Sequence, residues 1–151
     1  MKSLSKSDIK QINSKLEEKY GISPLHKKDR VQLVEDEMSY LMVNNEIMFI
    51  YLNDELIPTI KTLMKENFLK QIVVDMGSIK FLTGGADLMR PGIVEIPDGI
   101  KEGDVISCVD ENNKRVLIIG VAMFNSEEMR AKDSGKVVKN IHYVGDDIWK
   151  L

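Results

Sequence analysis

The sequence predicts an α+β fold in two parts: an N-terminal α/β domain over residues 1–70 and a C-terminal, barrel-like β domain over residues 71–151. Two observations lead there. Before residue 70 the apolar residues alternate between helical and strand spacing. After it, Gly77, Gly84, Gly85, Gly92, Gly99, Gly103 and Gly120 punctuate short apolar runs, as in a small barrel of closely spaced strands. With 43% hydrophobic and 30% charged residues, the chain has the composition of a globular protein.

Ile9, Ile12 and Leu16 share one helical face, so a helix is expected over 5–19. Ser5 and Asp8 form its capping pair and Gly21 its stop. Strands follow at 31–35, 38–43 and 46–52, the last two joined by Asn44-Asn45, residues that tolerate positive φ in a hairpin. Asn53-Asp54 is expected to end the third strand. Pro58 is expected in the first turn of a helix carrying Ile60, Leu63 and Met64 to about residue 67.

Beyond residue 70 a strand over 71–75 leads into a turn at Gly77, a short helix over 78–82 and a bend at Arg90-Pro91-Gly92. Asp75 reads as the cap of the turn after its strand. Turns are expected at Gly103-Asp104 and Asn112-Asn113, a strand around Cys108, and a single helical turn over 126–129 capped by Asn125 and Glu128. The last strand is expected over 136–143, before the turn at Gly145-Asp146-Asp147.

Composition excludes several functions. One cysteine, Cys108, permits no internal disulfide, and with His26 and His142 as the only histidines no four-ligand zinc site of the usual kinds can be built. The longest apolar stretch, nine residues from Val116 to Phe124, falls far short of the ~20 a membrane-spanning helix needs. No apolar segment of a secretory signal follows the basic start, so the cytoplasm is the expected compartment, with no membrane partner. The formal net charge is −3, unevenly spread: residues 1–30 carry eight Lys/Arg against four acids, and residues 31–60 carry six acids and no Lys or Arg. Any contact with RNA must therefore be local and shape-based. Lys27, Lys28 and Arg30 read first as a solvated loop and second as a phosphate patch.

No nucleophile elbow, phosphate-binding P-loop or dinucleotide fingerprint is present. The informative segment runs from Val73 to Ile93. Its helix start beside Gly84-Gly85 could offer backbone N–H donors to phosphate, with Lys80 and Arg90 adding charge. Tight packing of a small barrel explains the same glycines equally well.

Asp75-x-Gly77, Ile79-Lys80-Phe81, Gly85-Ala86-Asp87 and Met89-Arg90-Pro91-Gly92-Ile93 resemble the signature of the PUA domain, named for pseudouridine synthases and archaeosine transglycosylases; Ser78 stands where the family more often has Ala. Gly120-Val-Ala, Ser126-Glu-Glu-Met129, Gly135-Lys136 and Asn140-Ile-His-Tyr143, with Asp146 and Trp149, are similar to its second half. Lys27-Lys28-Asp29, the strands around Asn44-Asn45-Glu46 and Pro58-Thr59 resemble the pre-PUA domain. The whole resembles the two-domain family of the malignant T-cell-amplified sequence protein and the N-terminal part of ligatin, in short archaeal form. That resemblance implies a C-terminal pseudo-β-barrel of about six strands and a non-catalytic protein that binds structured RNA (tRNA or rRNA) in translation, without a cofactor. It also implies the small ribosomal subunit and a partner translation factor as company. An accessory place in RNA modification is the alternative. The RNA-binding candidates it implies are Gly77, Ser78, Lys80, Gly84, Gly85, Ala86, Asp87, Arg90 and Pro91, then Asn140, His142 and Tyr143.

Overall fold

The computed structural model describes residues 1–151 and divides into two compact units, Met1–Phe68 and Leu69–Leu151. In the first, helix α1 (Lys6–Tyr20) starts at Ser5, whose hydroxyl accepts from Asp8 N while the Asp8 carboxylate accepts from Ser5 N, and it ends at Gly21. Five antiparallel strands follow one another as neighbours: β1 (Lys2–Ser3), β2 (Val31–Glu35), β3 (Ser39–Val43), β4 (Glu46–Leu52) and β5 (Glu55–Pro58). Strand alternation sends Leu41, Phe49 and Leu56 toward one face, where they bury together with Leu16 of α1.

Two tight turns set the register. Asn44 and Asn45 have φ of 51° and 70°, and Asn53 and Asp54 have φ of 50° and 63°. Left-handed backbone at both central residues matches the natural twist of adjoining strands. Asn53-Asp54 thus opens another hairpin rather than ending the sheet, and pairs β4 with a strand the sequence pattern does not announce. Pro58 closes that edge strand, paired with Phe49. Thr59 is the cap of helix α2 (Ile60–Lys65), so the proline lies before the helix and not in its first turn.

The second unit holds a six-stranded sheet curled into a half-barrel, the barrel-like sheet expected after residue 70. Its strands are β6 (Gln71–Val74), β7 (Leu88–Met89), β8 (Ile93–Glu95), β9 (Val105–Asp110), β10 (Val116–Ala122) and β11 (Lys136–Tyr143), in the order β7-β11-β10-β9-β6-β8. Only β6 and β9 run parallel. Helices α3 (Ile79–Leu82) and α4 (Ser126–Ala131) lie between strands in sequence. The core gathers Ile72, Leu82, Leu88, Ile106, Ile118, Met129 and Val138, all essentially inaccessible. Asp110 holds the β9–β10 turn: its carboxylate accepts from the backbone N–H groups of Asn112, Asn113 and Arg115. Those bonds, Asn113's foremost, keep its acid below the usual carboxylate range.

Replacing Asn53 by Val forces a β-branched residue into left-handed backbone and should cost about 1–2 kcal/mol, whereas Asn53→Gly should be near neutral. Urea unfolding of the two variants checks this.

Candidate nucleic-acid interface

The site is built at the crossing of the glycine loop and β11. After β6, Asp75 turns the chain: its Oδ1 accepts from Ser78 N at 2.9 Å and from Ser78 Oγ at 2.7 Å. A 3-10 turn, Met76–Ser78, leads into α3, where Ile79 and Leu82 face the core and leave Phe81 68% exposed. The loop then folds back, and Asn140 of β11 clasps it. Asn140 Nδ2 donates to Leu82 O at 3.0 Å and to Ala86 O at 2.9 Å, while Asn140 N donates to Asp87 Oδ1 at 2.8 Å. β7 then pairs with β11, bringing Lys136 opposite Met89, and Lys136 Nζ stands 3.5 Å from Asp87 Oδ2.

Two glycines make the close approaches. Gly85 has a φ of 97°, and a Cβ there would stand 3.2 Å from the Tyr143 ring. A Cβ on Gly92 would collide with Ser78 Oγ. Between these walls lies a groove of about 620 Å³ lined by Ser78, Phe81, Gly85, Ala86, Asp87 and Met89, with Leu82, Leu88, Gly92 and Lys136 completing it. Its character is mainly apolar.

Of the candidates singled out in the sequence, Ser78, Gly85, Ala86 and Asp87 line the groove. Lys80 and Arg90 do not line it. Lys80 is exposed on α3, and Arg90 is tied down by donating from Nε to Met129 O at 2.8 Å. Gly77, Gly84 and Pro91 are exposed beside the groove. Two of the backbone donors at the helix start, expected to be open to phosphate, are taken: Met76 N donates to Glu111 Oε2 and Ser78 N to Asp75 Oδ1. His142 is 1% exposed, and its Nδ1 meets the Asp146 carboxylate at 2.9 Å. The same carboxylate accepts from Tyr143 N and Trp149 N, stapling the chain end to β11. His142 thus supports the wall from inside, and Asn140 and Tyr143 position the loop. Sequence reasoning missed Phe81, Met89 and Lys136. The helical spacing of Ile79 and Leu82 could have flagged Phe81 as outward-facing; Lys136 required the β7–β11 register.

Residues 70–144 match the PUA domain family, and residues 3–66 match a family described only as a domain of unknown function, DUF1947. The chain belongs to the PUA-domain family. Over 98% of its length it is 44% identical to an uncharacterized protein of Methanocaldococcus jannaschii, covering 94% of that relative. Translation machinery-associated protein 20 of Saccharomyces cerevisiae is 33% identical, over 83% of this chain and 74% of its own. Malignant T-cell-amplified sequence 1 of Rattus norvegicus is 31% identical, over 98% and 88%. Among solved structures, a hypothetical protein from Pyrococcus horikoshii superposes with a TM-score of 0.86 at 37% identity, covering 98% of this chain and 96% of that one. An H/ACA ribonucleoprotein bound to a substrate RNA matches 64% of this PUA-domain chain and 29% of its own, with a TM-score of 0.52 at 27% identity.

Two stability predictions follow from the geometry of the PUA unit. Gly92→Ala should cost about 1–3 kcal/mol by displacing Ser78, and Ser78→Ala about 1 kcal/mol by losing its bond to Asp75. The double variant should cost little more than Ser78→Ala alone, since the collision then has no partner; denaturant unfolding of the cycle measures the coupling.

Burial pulls His142 below its ordinary 6.5, against the upward pull of Asp146. The unfolded chain therefore protonates first, and stability should fall as pH drops below about 6.5. The melting temperature should decline between roughly pH 7 and pH 5, and His142→Gln should flatten that decline.

Proposed function

We propose that this PUA-domain protein is a non-catalytic RNA-binding protein of translation, which holds tRNA or rRNA in the glycine-loop groove. The observation that carries the reading is the groove itself. It is a preformed slot with an exposed aromatic, Phe81, and an exposed thioether, Met89, at its mouth, and a single ion pair, Asp87–Lys136, in its wall. Exposed apolar surface beside a fixed polar loop suits the face of an unpaired base better than a phosphate. The carboxylates of Asp75 and Glu111 already occupy helix-start donors, which further disfavours phosphate there.

In this reading Ser78, Gly85, Ala86 and Asp87 form the inner wall. Gly77, Gly84 and Pro91 shape its approaches. Asn140, His142 and Tyr143 act from behind, through the loop. Lys80 meets the sugar-phosphate strand outside the slot, and Arg90 fixes the bend through Met129. The name of the Saccharomyces cerevisiae relative, translation machinery-associated protein 20, favours translation. In this reading the small ribosomal subunit and a partner factor supply further contacts. A cytoplasmic place accords with that, and no helix is long and apolar enough to cross a membrane.

Chemistry of the side chains supports a role without catalysis. Burial pushes the Cys108 thiol far up, so it makes a poor nucleophile, and His142 is enclosed with Asp146. A second reading, an accessory component of an RNA-modification system, is favoured by the likeness to the H/ACA ribonucleoprotein. Sequencing the RNA crosslinked to the protein in cells separates the two readings.

Phe81→Ala should weaken binding of bulk tRNA or rRNA by about 1–3 kcal/mol with folding intact, the range of one stacked base. Lys80→Ala should reduce affinity less and make the salt dependence shallower by about one charge. Filter binding at several salt concentrations reads both, and unchanged binding by Phe81→Ala would count against the groove.

A further inference from the structure

We infer that the N-terminal unit carries a second RNA-contact surface, a lysine-lined groove along α1 that takes the phosphodiester backbone. The groove measures about 640 Å³ and is lined by Lys6, Lys10, Asn13, Glu17, Ser23 and Lys27, over an apolar floor of Ile9 and Leu25. Lys6 and Lys10 sit one helical turn apart, about 6 Å along the axis, a step comparable to that between successive phosphates.

These lysines are free to meet an outside anion. None of the ion pairs in the chain involves Lys6, Lys10 or Lys27. The single carboxylate in the lining, Glu17, accepts from the Ser23 hydroxyl at 3.0 Å. Asp29 of the neighbouring loop lies outside the lining, and its carboxylate is turned to the loop itself. Asp29 accepts from His26 N at 2.8 Å and from Asn44 Nδ2 at 2.9 Å, which hold its acid below the ordinary range.

The far wall is ordered in advance. Asn13 grips Leu25 at two points, with Oδ1 accepting from Leu25 N at 3.1 Å and Nδ2 donating to Leu25 O at 2.8 Å. At the other end, Arg30 and Asn44 exchange backbone and side-chain bonds, so the loop bearing Lys27 and Lys28 is anchored on both sides. A basic groove that needs little ordering on binding loses less affinity to entropy. Three lysines outside every ion pair of the chain, set along one groove, complement a repeated negative charge.

The two surfaces differ in chemistry, and salt separates them. The inference rests on the reading that the chain binds RNA, but not on the glycine-loop groove being the place. The test measures binding of the full chain to bulk tRNA and to poly(U) across a salt series. The variant Lys6→Gln/Lys10→Gln/Lys27→Gln, with folding checked by circular dichroism, should lower the log–log salt slope by about 2–3. The corresponding Lys→Arg variant should keep the slope. Phe81→Ala should weaken binding at every salt concentration while leaving the slope unchanged. An unaltered slope in the Gln variant overturns the second surface and leaves the lysines to an acidic protein partner. Loss of the slope change together with normal binding by Phe81→Ala overturns both sites, and a slope change with normal binding by Phe81→Ala sinks only the glycine-loop groove.

Discussion

The clasp of Asn140 on the glycine loop is the constraint on which the site depends. One residue of β11 binds the loop through three hydrogen bonds, to Leu82 O, Ala86 O and Asp87 Oδ1. A loop containing Gly84 and Gly85 would otherwise sample many backbone states and lose its shape to entropy. Held at three points, it presents a fixed wall. The Asp87 carboxylate, with one oxygen on Asn140 N, keeps the other facing Lys136. Behind the clasp, the Asp146 staple anchors the end of β11, so the strand is fixed beyond the contact as well.

This arrangement explains why residues of one motif divide into different roles. The glycines and Ala86 set the shape, Phe81 and Met89 supply exposed apolar surface, and Asn140, Tyr143 and His142 support from inside. Arg90, the most conspicuous cation of the motif, works as a brace to the end of α4. In the proposed function, an apolar slot with braced walls selects by shape and stacking, which tolerates the acid excess of the chain. The N-terminal unit has the complementary chemistry, with Lys6 and Lys10 on α1 and Lys27 on an anchored loop all outside the ion pairs of the chain.

Much of this was legible in the sequence. Ser5 with Asp8 and Asn125 with Glu128 are capping boxes that announce their helices, and Asn44-Asn45 announces its hairpin. The two-part α+β organisation and the PUA resemblance rest on side-chain patterns that survive without coordinates. What stayed hidden is short or non-local. β5 is four residues long and ends in a proline, so Asn53-Asp54 reads as a stop and Pro58 as a helix opener. β7 and β8, of two and three residues, are too short to show a period. In the site, Lys136 meets Asp87 across 49 positions only because β7 pairs with β11. Arg90 looked like a phosphate ligand because its partner is a backbone carbonyl, which no sequence pattern marks.

The central claim is that RNA enters the slot between the glycine loop and Phe81. Ultraviolet crosslinking of the full chain to bulk tRNA and rRNA, with the attachment points mapped by mass spectrometry, tests it directly. The account predicts crosslinks within residues 78–92, centred on Phe81 and Met89. Crosslinks that avoid this segment altogether, in a preparation that binds RNA, would contradict it.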